Sequence, residues 1–201
     1  MKYILCILIG YLLGCVNFAF IIGKFKGFDI REKGSGNAGA SNVTISLGWG
    51  YGVLTALLDI LKGFAAVMIC RNLFPELPYA GNVAGACAVL GHIFPFYMGF
   101  KGGKGFASYM GMIRAFNWKL ALAMAALTIA VTLITNYISL ATLSVAIATP
   151  AYYIYKARQL IPVAILIVLL VVITYKHMIN IRRILNHEEI GLRESGKHRV
   201  K

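Results

Sequence analysis

The chain has 201 residues, of which 59% are hydrophobic and 13% are charged, and its mean hydropathy is +0.75. This composition is too apolar for a water-soluble domain of that length, so it predicts an integral membrane protein. The formal net charge of +13 does not indicate a nucleic-acid-binding protein, because no polar domain is available to present a basic surface. Basic loops on the cytoplasmic side of a membrane explain the charge better.

The first predicted span covers residues 3–23, which carry no charge over 21 positions and can cross about 30 Å of hydrocarbon as a helix. Residues 12–15, LLGC, also resemble a lipoprotein cleavage site, but Lys2 gives only a weak positive start and the apolar run continues to Ile22. An uncleaved first span is therefore favoured. The cysteines lie in or beside apolar segments without metal-site spacing, and they are interpreted as packing residues: Cys6, Cys15, Cys70 and Cys87.

A polar stretch, residues 24–39, separates the first span from a second at residues 53–70. The second span is interrupted only by Asp59 and Lys62, which are three positions apart and can meet on one helix face. The sequence leaves open whether this pair is a structural ion pair or part of a catalytic site.

The rest of the chain contains further apolar segments. Residues 79–100 are a third predicted span, and residues 105–113 are too short to span alone and predict a half-helix or a short tilted helix. Residues 120–155 carry no charge and predict two spans with a tight turn near Asn136. Residues 160–175 form the last span, before a basic tail.

The sequence therefore predicts an all-α, polytopic membrane protein with about seven transmembrane helices, one of them short or tilted. A single membrane domain covers residues 1–185, and residues 186–201 form a basic cytoplasmic tail. Basic residues stay on the cytoplasmic side, so their distribution predicts an N-terminus outside and a C-terminus inside. The thirteen on the predicted cytoplasmic side are Lys24, Lys26, Arg31, Lys33, Lys101, Lys104, Lys176, Arg182, Arg183, Arg193, Lys197, Arg199 and Lys201. The six on the other side are Lys2, Arg71, Arg114, Lys119, Lys156 and Arg158.

Two glycine-rich loops fall on the predicted cytoplasmic side: residues 34–42, GSGNAGASN, and residues 99–108, GFKGGKGFAS. Glycine lets successive backbone N–H groups turn toward one point, and such a nest binds phosphate or another anion. Lys101 and Lys104 add positive charge. The second loop is not a nucleotide-binding P-loop, because Lys104 is followed by Gly105 rather than Ser or Thr. A smaller phosphate-bearing ligand is indicated instead of ATP.

A third polar cluster begins where the last span ends. If the helix continues there, His177 and Asn180 share one face, as do Asn180 and Arg183. Histidine titrates near neutral pH and can position or polarise a hydroxyl group.

These three segments together resemble the three motifs of the bacterial acyl-phosphate-dependent glycerol-3-phosphate acyltransferases. The motifs are residues 34–42, then GHIFP at 91–95 running into KGGKG at 101–105, then His177, Asn180, Ile181 and Arg183. They occur in order and the likeness covers essentially the whole chain.

The resemblance implies a seven-helix enzyme of the bacterial plasma membrane, with its active site facing the cytoplasm. Such an enzyme transfers an acyl group from acyl phosphate to the 1-hydroxyl of glycerol 3-phosphate, and it releases phosphate and lysophosphatidic acid for phospholipid synthesis. It implies no cofactor, no metal and no nucleic-acid partner. The partners it implies are the two substrates, membrane lipid and an enzyme that supplies acyl phosphate.

The resemblance also assigns site residues. Ser35, Lys104 and Thr142 would surround the donor phosphate, and His177, Asn180 and Arg183 would place glycerol 3-phosphate. The catalytic residues would be Lys104, His177, Asn180 and Ser35. The remaining substrate-binding residues would be Gly34, Gly36, Asn37, Gly39, Asn42, His92, Lys101, Gly102, Gly103, Thr142 and Arg183. An acyl phosphate carries its own leaving group, so direct attack by the hydroxyl suffices, and either His177 or the departing phosphate takes the proton.

The sequence departs from the family pattern at four places. Ile45 and Asn136 stand where arginines are common, Val16–Asn17 replaces Ile-Pro, and His187 replaces a glycine. Loss of an arginine that faces phosphate predicts weaker donor binding, and therefore a divergent paralogue with an altered donor or reduced activity.

Two further alternatives remain. A small anion or phosphate carrier would also use intramembrane charges and glycine-broken helices, although the polar motifs gather on one side and no inverted repeat is evident. A catalytically silent relative is the other. Thioester-dependent acyltransferases are disfavoured because no histidine is followed by four residues and then aspartate.

Overall fold

A computed structural model describes residues 1–156 and 159–194. The described part of the chain is helical and contains no β-strand. Its α-helices are α1 (Lys2–Cys15), α2 (Phe18–Phe25), α3 (Ala40–Leu47), α4 (Trp49–Leu73), α5 (Ala80–Ile93), α6 (Phe106–Phe116), α7 (Trp118–Thr135), α8 (Ile138–Lys156) and α9 (Leu160–Leu185).

Five helical segments are long and apolar enough to cross a membrane: Lys2–Phe25, Trp49–Leu73, Trp118–Thr135, Ile138–Lys156 and Leu160–Leu185. The predicted all-helical membrane protein is therefore confirmed. Helices α5 and α6 have 14 and 11 residues, which is shorter than a full span, so the seven-helix count and the orientation of the termini stay predictions. Arg158 and residues 195–201, including Lys197, Arg199 and Lys201 of the predicted tail, lie outside the described residues.

The first span is interrupted at Val16–Asn17, where α1 ends and α2 begins. The Oδ1 atom of Asn17 accepts a hydrogen bond from the Phe20 N–H at 2.9 Å, so Asn17 caps α2. The carbonyl of Cys15 accepts from the Tyr97 hydroxyl at 2.9 Å, and that of Val16 from Lys62 Nζ at 2.6 Å. Side chains thus satisfy the backbone groups that the break releases within an apolar layer.

Small residues let the central helices approach closely. A Cβ atom on Gly10 or Gly14 of α1 would collide with the backbone of Ala84 or Ala88 in α5. Gly63 of α4 is held against the backbone of α6 in the same way. Helices in lipid associate largely through such close packing, because the surrounding chains are as apolar as the side chains. The result is a tight core of α1, α4, α5 and α6 behind the polar loops.

The third predicted span is wrong at its end. Residues 79–100 were expected to be one helix, but α5 ends at Ile93. Pro95 explains the stop, because a proline disfavours helical geometry at the residue before it and cannot donate a backbone hydrogen bond. A short 3-10 turn at Phe96–Met98 follows, and the chain then enters the second glycine-rich loop.

The two helices predicted within residues 120–155 and the turn between them are present in the structure. Helices α7 and α8 are joined by a turn at Asn136, whose φ of 68° ends α7. Helix α9 continues past residue 175 to Leu185. At 1.5 Å per residue its 26 residues extend roughly 39 Å, which is longer than a hydrocarbon layer of about 30 Å.

Candidate active site

The three sequence motifs meet around one cavity of about 320 Å³. Its lining combines the first glycine-rich loop, helices α3 and α4, the start of α6, residues of α8, and the end of α9 with the segment after it. Of the sequence-predicted site residues, those on the cavity are Ser35, Asn37, Gly39, His92, Lys104, Thr142, His177, Asn180 and Arg183.

The other sequence-predicted residues lie behind the cavity or on the surface of its loops: Gly34, Gly36, Asn42, Lys101, Gly102 and Gly103. Buried Asn42 organises the first loop, since its Oδ1 accepts from the Ser35 N–H at 2.7 Å and its Nδ2 donates to the carbonyls of Ile30 and Lys33. Gly34 has a φ of +55° and fits against Asn42, where a Cβ atom would collide with Oδ1. These residues shape the loop that presents Ser35.

The second glycine-rich loop folds back onto the end of α5. The N–H groups of Gly102 and Gly103 donate to the carbonyls of Ile93 and His92 at 3.1 and 3.0 Å. A Cβ atom on either glycine would collide with this helix end, so the close approach requires glycine. The fold-back directs Lys104 into the cavity, whereas Lys101 is exposed.

Lys104 begins a chain of polar contacts that crosses the cavity. Its Nζ donates to Asn180 Oδ1 at 2.5 Å, and Asn180 Nδ2 donates to Glu189 Oε1 at 2.5 Å. An amide can accept on one atom and donate on the other, so Asn180 joins the ammonium group to the carboxylate. This contact fixes Lys104 of the second motif to α9 and to the segment that follows it.

The pKa of Lys104 is lowered to about 8. Burial is the largest cause, because it disfavours the charged ammonium; Glu189 opposes the shift, and Arg183 and Lys176 add to it. Arg183 and Lys176 thus place further positive charge near Lys104, and Glu189 offsets part of it. An anion bound there would relieve the repulsion among the cations.

His177 has a defined orientation. Its Nδ1 lies 2.8 Å from the carbonyl oxygen of Ile173, one turn earlier in α9. A carbonyl oxygen can only accept, so Nδ1 carries the proton of this bond and the neutral ring keeps an acceptor at Nε2. His177 is buried and lines the cavity, where this acceptor is available to a hydroxyl group.

The guanidinium of Arg183 also reaches the first loop, because its Nη1 donates to the carbonyl of Ser35 at 3.4 Å. On the opposite wall, the Thr142 hydroxyl donates to the carbonyl of Ile138 at 3.0 Å and keeps its lone pairs on the cavity side of α8. The face of α9 that was predicted to carry His177, Asn180 and Arg183 is therefore present. It contacts the first glycine-rich loop.

Sequence reasoning missed several cavity residues. Asp59 of α4 lies on the cavity, and its pair with Lys62 was noted without a location. Glu189 and Ile190–Leu192, which follow α9, also line the cavity. No local sequence pattern predicts this placement. Trp49 and Val53 line the cavity and are also half-exposed on the outside of the bundle, so the polar site continues into an apolar wall that reaches the membrane side.

The described residues contain no group of three or more His, Cys, Asp and Glu side chains placed to hold a metal ion. The charged groups on the cavity are two cations, Lys104 and Arg183, and two carboxylates, Asp59 and Glu189. Amide, hydroxyl and glycine-rich backbone groups complete the lining, and glycine-rich backbone beside lysine and arginine is suited to an anion.

Comparison with known proteins gives consistent relatives. A family model described as glycerol-3-phosphate acyltransferase matches residues 4–187. The glycerol-3-phosphate acyltransferase 1 of Oceanobacillus iheyensis is 38% identical over 201 residues, with 96% of each chain covered. The enzyme of that name from Mesorhizobium japonicum is 42% identical over 185 residues, which cover 90% of this chain and 92% of the relative.

A crystal structure of PlsY (YgiH), an integral membrane glycerol 3-phosphate acyltransferase in its glycerol 3-phosphate form, superposes with a TM-score of 0.89 at 35% identity over 96% of both chains. The lysophosphatidic acid form of PlsY gives a TM-score of 0.86, with 95% of both chains covered. The fold, the order of the three motifs and these similarities agree along nearly the whole chain, and the chain belongs to the glycerol-3-phosphate acyltransferase family.

Proposed function

We propose that this acyltransferase takes its acyl group from acyl phosphate and transfers it to the 1-hydroxyl of glycerol 3-phosphate, forming lysophosphatidic acid and phosphate. The observation that carries the proposal is a single cavity that presents Lys104 and Arg183 beside glycine-rich backbone while its α4 wall, at Trp49 and Val53, is apolar and reaches the outside of the bundle. A donor with a phosphate head and an acyl chain needs both surfaces.

The donor phosphate is assigned to Ser35, Lys104 and Thr142, with Asn37 and Gly103 shaping the loops. The pKa of Lys104 is lowered mainly by burial and further by the charges of Arg183 and Lys176, and a bound phosphate would compensate these positive charges, which supports the assignment. Glycerol 3-phosphate is assigned to His177, Asn180 and Arg183. The glycerol 3-phosphate and lysophosphatidic acid forms of the related PlsY structures support this acceptor and this product.

The reaction needs no covalent enzyme intermediate. The 1-hydroxyl oxygen attacks the carbonyl carbon of the acyl phosphate, the carbon–oxygen bond to phosphate breaks, and phosphate leaves with the electron pair. The His177 Nε2 acceptor orients the hydroxyl and takes its proton, which then passes to the departing phosphate. The contribution of the protein is to hold two anions in line and to supply positive charge where negative charge develops.

For the membrane arrangement, the proposal keeps seven crossings, with α5 and α6 as the short ones, an outside N-terminus and a cytoplasmic active site in the bacterial plasma membrane. The basic residues support it. So does an ion pair at 2.6 Å between Lys2 and Glu76, which brings the N-terminus to the same end as the segment after α4. The acyl phosphate would come from a separate enzyme that forms it in the cytoplasm.

The test is an assay with purified protein in detergent, palmitoyl phosphate and glycerol 3-phosphate, without ATP, metal or coenzyme A. We expect phosphate and lysophosphatidic acid in equal amounts, and no product from palmitoyl-coenzyme A. Activity only with the thioester would refute the donor assignment. Phosphate movement into protein-containing vesicles without acyl transfer would identify an anion carrier instead.

Lys104 and Lys101 provide a matched pair for the same assay, because they share one loop but only Lys104 enters the cavity. We expect Lys104→Met to abolish acyl transfer, since a charged hydrogen bond contributes roughly 1.5 to 3 kcal/mol and a buried charge more. Lys101→Met should retain most activity. The opposite order would move the phosphate site to the outer face of the loop.

A further inference from the structure

A buried cluster of charged and polar side chains lies beside the active site and has no role in the mechanism above. It consists of Asp59 and Lys62 on α4 and His92 on α5, and each of the three residues is at most 6% exposed. Lys62 Nζ lies 2.7 Å from Asp59 Oδ1, 2.9 Å from His92 Nδ1 and 2.6 Å from the Val16 carbonyl oxygen.

Lys62 Nζ donates to the Val16 carbonyl, and it is in close contact with both the Asp59 carboxylate and His92 Nδ1. His92 Nδ1 also lies 3.4 Å from Asp59 Oδ1, so both members of the ion pair contact the same ring nitrogen. The cluster thus fixes the position of the His92 ring. It also satisfies the Val16 carbonyl, which the break between α1 and α2 leaves without a helical partner.

The far edge of His92 supports both glycine-rich loops. A Cβ atom on Gly103 would collide with His92 Nε2 and would lie 2.7 Å from the Ala38 carbonyl oxygen, so the two loops and the ring meet at this point. The backbone carbonyl of His92 accepts from Gly103, and the Asn17 side chain donates to the Ala38 carbonyl at 3.1 Å. The residue after Gly103 is Lys104, and Ala38 lies in the loop that presents Ser35.

Lys62 itself does not line the cavity, whereas Asp59 and His92 do. It therefore acts through its neighbours rather than on a substrate. A buried ion pair is weak evidence for stability, because apolar side chains of similar size often stabilise a fold as well or better. Its position at the junction of the helix break and both loops indicates a geometric role.

We propose that Lys62, held by Asp59, is a positioning residue that sets the two glycine-rich loops relative to each other, so that the two substrates are aligned. This inference rests on the proposed function. Each loop keeps its own polar groups when Lys62 is lost, so each substrate still binds. The alignment between the donor carbonyl and the acceptor hydroxyl is what changes.

The test compares Lys62→Met and the double variant Asp59→Asn/Lys62→Met with Leu169→Ala. The double variant removes both charges and leaves no buried unpaired carboxylate. Leu169 is 1% exposed in the α9 core and does not line the cavity, so its truncation controls for destabilisation alone. For each protein the melting temperature, kcat, and KM for palmitoyl phosphate and for glycerol 3-phosphate are measured per folded molecule.

We expect kcat of both Lys62 variants to fall about a hundredfold, as small misplacements of reacting groups do, while both KM values change by less than about threefold. Leu169→Ala should lower the melting temperature and keep kcat. The proposal is overturned if the double variant keeps the kcat of the unaltered protein, if the loss lies in KM, if Leu169→Ala loses kcat equally, or if the double variant cannot fold. Lack of turnover in the unaltered protein would instead refute the proposed function.

Discussion

Lys104 combines three properties that the proposed chemistry requires: it follows a glycine pair, it lines the cavity, and it contacts α9 through Asn180. Ile45 occupies a second key position. It is 7% exposed and lines the same cavity, at a place where the family resemblance leads us to expect arginine. At the residue scale, the proposed function makes these two positions the ones that set how much positive charge meets the donor phosphate.

The lowered pKa of Lys104, about 8, predicts the alkaline limb of the activity profile. The ammonium is charged below this pKa and loses its proton as the pH rises through it, so kcat/KM should decline above about pH 8. Lys104→Arg keeps its charge to much higher pH, so its remaining activity should show no decline in this range. If kcat/KM of Lys104→Arg declines over the same pH range as in the unaltered protein, a group other than Lys104 is responsible for the decline.

Ile45→Arg should lower the KM for acyl phosphate about tenfold or more and leave the KM for glycerol 3-phosphate nearly unchanged. A guanidinium can bind phosphate oxygens in a bidentate manner, and a charged hydrogen bond is worth roughly 1.5 to 3 kcal/mol. Steady-state kinetics and thermal unfolding are measured together. A variant that is less stable and binds the donor no better would mean that Ile45 is needed as apolar packing and that Arg183 already serves the site.

At the scale of elements, the segment after α9 is held to the turn between α7 and α8. The Asn136 Oδ1 accepts from the Arg193 N–H at 2.9 Å, and its carbonyl accepts from the Leu192 N–H at 2.9 Å. Asparagine tolerates the positive φ that ends α7. His187, with a φ of 58°, occupies a position that favours glycine, in agreement with the glycine expected there.

Asn136→Ala removes the Oδ1 contact with the Arg193 N–H and should loosen this segment, while the backbone bond from Leu192 remains. Because Glu189 and Ile190–Leu192 line the cavity, we expect a higher KM for at least one substrate. Asn117→Ala is the matched control: Asn117 caps the other end of α7, away from the cavity, and its loss should cost about 1 kcal/mol of stability with KM unchanged. If both variants keep the KM values of the unaltered protein, the segment does not contribute to substrate binding.

Much of the architecture is readable from local patterns, because apolar run length and helical spacing reflect neighbours in the chain. The turn at Asn136 and the shared face of His177, Asn180 and Arg183 follow from such patterns. The end of α5 at Ile93 was misjudged, since the residues after Pro95 are as apolar as those of a helix. The Asn180–Glu189 contact and the Lys62 cluster depend on which segments pack together, and one sequence read alone does not contain that information.

At the scale of the whole molecule, the polar motifs of three distant segments lie on one cavity, and the proposed orientation faces it toward the cytoplasm. Cysteines are introduced into a cysteine-free variant and treated with a membrane-impermeant thiol reagent. Lys33→Cys and Lys101→Cys should react only from the cytoplasmic side, and Glu76→Cys and Lys119→Cys only from outside. All four positions are exposed. They are chosen instead of glycines in the two loops, where an added side chain would collide with neighbouring atoms or strain the backbone. Labelling in the reverse pattern would invert the topology.

The central claim is direct transfer between two substrates held in one cavity, and the protein incubated with palmitoyl phosphate alone tests it. We expect no rapid release of phosphate and no gain of a palmitoyl group in the intact protein mass until glycerol 3-phosphate is added, when phosphate and lysophosphatidic acid appear together. A burst of one phosphate per protein molecule, with an acylated protein that glycerol 3-phosphate then discharges, would contradict the claim.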